Sequence, residues 1–178
     1  MNFRKRIDYS DLFAAIDRVM AEDLAQMELY CEIGRLINGR PEKGTAVAAA
    51  EYLQAHYPDA SGFSPRNVRR MREFYHAFEG DTAAMCAALE IGWTQNVVIL
   101  EADLTPEERV WYICAVRQLG WSKLTLAKQI ADHACDKITL DTPSDACYTD
   151  LEEKVVDTDD AHPLRMSRQE SPALGRLK

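Results

Sequence analysis

Three times the sequence sets a glycine, an aromatic residue and a hydroxyl residue ahead of an apolar run: Gly62-Phe63-Ser64, Gly92-Trp93-Thr94 and Gly120-Trp121-Ser122. A serine or threonine side chain accepts a hydrogen bond from the first free N–H groups of a helix, so each hydroxyl reads as an N-cap. Phe63, Trp93 and Trp121 then precede the caps. Val68, Val98 and Leu126 stand at the fourth helical positions, the spacing of a hydrophobic staple. A fourth entrance, Leu104-Thr105-Pro106-Glu107-Glu108, carries a capping box instead, with Thr105 as cap, Pro106 at the first position and Glu108 reaching back. A chain with four such helix entrances and no run of alternating β-branched residues is predicted to be all-α, with six or seven helices ending near Asp132.

Upstream, Phe13, Ile16, Met20, Leu24, Met27 and Cys31 recur every three or four positions, and Gly39 follows. This predicts one long amphipathic helix over residues 10–38. An alanine-rich second helix over 44–56 closes at Tyr57-Pro58, because the residue before proline is pushed out of the helical region. The third helix opens at Ser64-Pro65, with Val68, Met71, Tyr75 and Phe78 as its inward stripe. After Cys135 the composition turns acidic and loses its helical periodicity, so residues 136–178 read as a poorly ordered tail, with a short helix near 150–156.

The third helix carries the sequence's most suggestive charges. At about 100° per residue, Arg66, Arg69 and Arg70 fall opposite the apolar stripe and Arg72 at its border. With the second helix and the turn over 58–62 it has the outline of a helix-turn-helix, whose second helix offers its N-terminal side chains to the major groove. Arg66, Asn67 and Arg70 are then candidates for bases or phosphates and Arg69 for the backbone, with Lys123 a weaker candidate extending the basic surface. The plainer reading is a solvated helix face, with Glu73 four residues from Arg69. Formal net charge of −8 opposes general affinity for nucleic acid, so any such binding must come from a local patch.

Enzyme chemistry finds little support. The cysteines are scattered singly with no C-x-x-C pair, and the histidines lie apart from them, so no zinc site or other cofactor is expected. Glu152-Glu153-Lys154 matches half of a nuclease metal motif, but no strand pattern precedes it and a charged tail produces such triplets by chance. There is no signal-peptide pattern at the N-terminus and no apolar run of membrane-spanning length, so a cytoplasmic protein without membrane association is predicted.

The motif order is Ile33-Gly34-Arg35-Leu36-Ile37, then Gly62-Phe63-Ser64-Pro65-Arg66-Asn67-Val68 with Met71-Arg72-Glu73-Phe74-Tyr75, then Ile91-Gly92-Trp93-Thr94, and finally Trp111-Tyr112 and Gly120-Trp121-Ser122-Lys123-Leu124. It resembles the N-terminal domain of the bacterial YhcG family over residues 10–132. Members of that family carry a C-terminal nuclease domain of the PD-(D/E)xK type, and the resemblance implies that the N-terminal domain binds nucleic acid or a partner. The 46 residues after Asp132 are too few for the sheet of such a nuclease, so no enzymatic activity is expected.

Together these readings predict a compact all-α domain over 1–135 containing a helix-turn-helix-like unit, followed by the acidic tail. Its expected role is non-catalytic binding of double-stranded DNA through Arg66, Asn67, Arg69 and Arg70, with Lys123 beside them. The alternative is a protein-interaction or oligomerisation module that partners a separately encoded nuclease or effector.

Overall fold

A computed structural model describes residues 7–140. Eight α-helices follow one another: α1 (Ser10–Met20), α2 (Gln26–Asn38), α3 (Thr45–His56), α4 (Pro65–Phe78), α5 (Thr82–Leu89), α6 (Trp93–Glu101), α7 (Pro106–Leu119) and α8 (Lys123–Ala131). A 3-10 turn, Ala134–Asp136, closes the described chain, which is all-helical with no strand among the described residues. The short helix expected near 150–156 and the Glu152-Glu153-Lys154 triplet lie outside the described residues, as does the tail beyond 140.

The expected single helix over 10–38 is two helices. Ala21, Glu22 and Asp23 interrupt it: two carboxylates at the C-terminal end of α1 oppose the helix dipole. Ala25 is extended, and its backbone N–H is taken by the Glu28 carboxylate at 3.0 Å, which starts α2 afresh. The buried stripe of α1 is accordingly Leu12, Ile16 and Val19, with Phe13 and Met20 only partly covered.

Helices α2 and α4 form the spine. Tyr30, Ile33 and Ile37 of α2 and Val68 and Met71 of α4 join α1 and α3 in one apolar cluster. Met27 and Cys31 of α2 and Phe74 and Phe78 of α4 join α5, α7 and α8 in a second. Trp93 packs against both. Each large apolar side chain taken fully out of water contributes about 1.5–3 kcal/mol before entropy is counted, so a helix that serves two clusters at once is held from both sides. Where the spine helices cross, Gly34 is backed directly onto α4. A Cβ placed there would run into the Met71 carbonyl oxygen and lie 2.8 Å from its carbon and 3.1 Å from Cβ of Tyr75.

The helix entrances follow the sequence at three of four sites. Ser64, Thr105 and Ser122 cap α4, α7 and α8 through their hydroxyl oxygens, and Glu108 returns its carboxylate to the Thr105 N–H at 2.7 Å. The fourth differs: α6 begins at Trp93 with Gly92 as its cap, so Trp93 lies inside the first turn rather than ahead of it. The buried Asn96 amide accounts for this, because it donates to the Ala88 carbonyl at 2.8 Å and to Gly92 at 3.3 Å, tying the α5 end to the α6 start.

Helices α3 and α4 pack on each other, but the connection between them spans residues 57–64, eight residues. A helix-turn-helix turn is about three or four residues long, and α4 packs more extensively on α2 than on α3. The pair is a helical corner with a long connection rather than a helix-turn-helix of standard turn length.

Candidate nucleic-acid interface

The N-terminal turn of α4 is anchored by three other helices. Gly62 adopts a left-handed conformation, φ 95°, and lies against the hydroxyl end of Tyr30 from α2, so closely that a Cβ would collide with the tyrosine oxygen. Only glycine combines that φ with that proximity. Gln54 of α3 donates to the Phe63 carbonyl at 3.1 Å, and the Phe63 ring is buried against the edge of Tyr30. From α6, the Trp93 indole N–H donates to the Asn67 side-chain oxygen at 2.9 Å, while the Asn67 amide nitrogen donates to the Gly62 carbonyl at 2.6 Å. Ser64 completes the corner by accepting from the Asn67 backbone N–H at 3.3 Å.

Asn67 therefore has both ends of its side chain engaged within the protein. Alanine there leaves the Trp93 indole without its acceptor and the Gly62 carbonyl without its donor. Asn67→Ala is expected to lower stability by about 1–2 kcal/mol in urea denaturation. Asn67→Asp, which keeps an acceptor for Trp93, is expected to lose less. A side chain that serves only to read bases would leave the urea midpoint unchanged.

Arg66 and Arg69 lie away from the buried residues of the helix, and Arg70 flanks them on the side toward α6. Arg66 and Arg69 are exposed, and Arg70 is half-buried. Arg66 and Arg70 turn toward the C-terminal end of α6, where both meet Oε1 of Glu101. Arg70 donates through Nε at 2.9 Å and also through Nη2, and Arg66 Nη2 stands 3.5 Å away. The hydrogen bond from Arg70, helped by the positive charge of Arg66, holds the Glu101 carboxyl below its ordinary value, so the group is ionised at neutral pH. Arg72 is half-buried at the border of the face, and Glu73 is exposed. Lys123 is exposed at the first position of α8, which packs on α6 and α7.

Sequence reasoning did not find Glu101, Tyr30 or Gln54. Glu101 follows the arginines by more than 30 residues and sits at the end of an apolar helix, so no local pattern marks it. The aromatic residues at and near the helix entrances are engaged in packing: Phe63 is buried, Trp93 meets Phe74 edge-on at 5.8 Å, and Trp111 lies 6.2 Å from Trp121. Among the described residues no group of histidine, cysteine, aspartate and glutamate could hold a metal ion, and no helix is long and apolar enough to cross a membrane.

Neither a curated protein nor a solved structure matches the chain. A family model does, that of the DUF1016 N-terminal domain, over residues 14–137. The match takes in every helix but the first few residues of α1, and with it the spine, the locked corner and the arginine face. The chain thus belongs to the family of DUF1016 N-terminal domains, the N-terminal domains of YhcG-type proteins.

Proposed function

We propose that the chain is a non-catalytic DNA-binding module that meets the duplex with α4. The observation that carries this reading is the placing of Arg66 and Arg69 in solvent, with Arg70 half-buried beside them, on a helix whose first turn is fixed by α2, α3 and α6. Guanidinium groups on a rigid element suit phosphate, because their planar forks lose little freedom on binding. In this reading α4 offers its N-terminal half to the major groove, Arg66 and Arg70 contact the backbone or base edges, Arg69 takes a neighbouring phosphate, and Asn67 holds the helix entrance in place. Lys123 adds positive charge from α8. Against an overall charge of −8, affinity depends on this face alone and is modest at physiological salt.

Binding of a labelled duplex to the 178-residue chain, measured by fluorescence anisotropy over a salt series, tests the reading. Three phosphate contacts predict a log–log slope of about −3, since each contributes roughly −0.9. A flat salt dependence contradicts it.

A second reading has its own observation. Leu119 and Leu124, 48% and 80% exposed, flank the Gly120-Trp121-Ser122 corner between α7 and α8. Apolar side chains so exposed suit a protein partner or a second copy, the role of an interaction module beside a separately encoded nuclease or effector. That reading predicts association insensitive to salt and lost in Leu119→Ser/Leu124→Ser.

A further inference from the structure

The contact between α4 and α6 places an anionic oxygen among the arginines of the proposed DNA face. Three guanidinium N–H donors converge on one atom, Oε1 of Glu101: Nε and Nη2 of Arg70, and Nη2 of Arg66 at 3.5 Å. Convergence of several charge-assisted donors on one oxygen is the arrangement arginines adopt around a phosphate oxygen. The occupant is weakly tethered. The Glu101 side chain is 50% exposed and those of Arg66 and Arg70 are 76% and 21% exposed, so the tether rests mainly on Arg70, and a pair whose carboxylate is half in water is screened by salt. Glu101 is also the last residue of α6, where a negative charge is disfavoured by the helix's own carbonyl end. What keeps the carboxylate there is the pair of arginines.

We propose that Arg66 and Arg70 form a subsite for one non-bridging phosphate oxygen of the DNA backbone, and that the Glu101 carboxylate occupies this subsite until DNA displaces it. The inference rests on the DNA-binding reading and adds an internal competitor to it. Glu101 keeps both arginine forks gathered in the free protein and lowers affinity, because the duplex must evict a carboxylate and then tolerate it beside a dense line of phosphates. Arg69, outside this contact, makes the first encounter.

The test uses the full chain and a labelled duplex at low salt, with Glu101→Gln as the principal variant. Glu22→Gln, an exposed glutamate between α1 and α2, controls for the change in net charge. Glu101→Gln is expected to bind about fivefold tighter, the size of one exposed charge pair released, and Glu22→Gln to bind like the parent. In an Arg70→Ala background the gain from Glu101→Gln is expected to vanish. A gain equal to that of Glu22→Gln, or one that persists without Arg70, reduces the effect to overall charge and overturns the subsite. Weaker binding by Glu101→Gln overturns it as well, making Glu101 a positioning residue for α4. Thermal unfolding of each variant is followed in parallel, and Glu101→Ala is used in place of Glu101→Gln if the latter unfolds early. Binding by the parent that is indifferent to charge reversal at Arg66, Arg69 and Arg70 refutes the DNA face itself, and the subsite with it. Charge-dependent parent binding with no response to Glu101→Gln refutes the subsite alone.

Discussion

Replacing Gly34 with alanine is expected to destabilise the protein by about 3 kcal/mol or more, the upper range for an added methyl group in a closed interface. The added carbon meets backbone on α4, namely the carbonyl group of Met71, and then the root of Tyr75. Neither is the free end of a flexible side chain, so relief requires α2 and α4 to separate. Separation opens both apolar clusters, because Ile33 and Ile37 face one and Cys31 and Met27 the other, with Met71 and Phe74 of α4 divided in the same way. Gly39→Ala is the matched control. Its nearest neighbours to an added Cβ are carbonyl oxygens 3.7 Å and 3.8 Å away, its φ of −67° suits any residue, and the change is expected to be neutral within about 1 kcal/mol. Urea denaturation of the two variants beside the parent checks the contrast. Equal midpoints for the two alanine variants would mean that the helices do not approach this closely.

The contrast between Gly34 and Ser64 bears on what could be read from the chain. Ser64-Pro65, Thr105-Pro106 with Glu108, and Ser122 specify helix starts through bonds that span three or four residues, and all three starts lie where those residues place them. Gly92-Trp93-Thr94 has the same local chemistry and a different outcome, because the Asn96 amide, buried between α5 and α6, takes the carbonyls that fix the helix start two positions earlier. The break at 21–25 was hidden for a related reason. An apolar repeat continues across it, and the capping bond that the Ala25 N–H donates to Glu28 has no cap side chain to announce it.

The arginine face was legible as a face, since the angular spacing of Arg66, Arg69 and Arg70 against Val68, Met71 and Phe78 follows from helix geometry alone. Its partners were not. Asn67 was a natural candidate for a base-reading amide, and only the tertiary arrangement shows that side chain held between Gly62 and Trp93. Glu101 could not be associated with Arg66 and Arg70 without knowing that α6 ends beside α4. The close approach at Gly34 likewise exists only when two helices meet.

The second large effect concerns binding. Reversing the charge at Arg66, Arg69 and Arg70 to glutamate replaces the three proposed phosphate donors with three repelling carboxylates. Hydrogen bonds to charged groups contribute about 1.5–3 kcal/mol each, so losing three is expected to weaken duplex binding by more than about a hundredfold. Stability is expected to fall only modestly by comparison: Arg66 and Arg69 are exposed, half-buried Arg70 exchanges its pairing with Glu101 for repulsion, and the residues that bury α4, Val68, Met71, Phe74 and Phe78, are unchanged. The pairing of Arg70 with Glu101 is lost at a surface where such pairs contribute little. Lys123→Glu is expected to weaken binding by less, since it removes one positive charge from α8, which packs on α6 and α7.

The most direct test is anisotropy of a labelled duplex with the full chain and with Arg66→Glu/Arg69→Glu/Arg70→Glu, across a salt series and with circular dichroism to verify that both fold. Salt-sensitive binding by the parent, absent from the triple variant, is the predicted result. Equal binding by two folded proteins would contradict the assignment of α4 as the DNA-contacting helix.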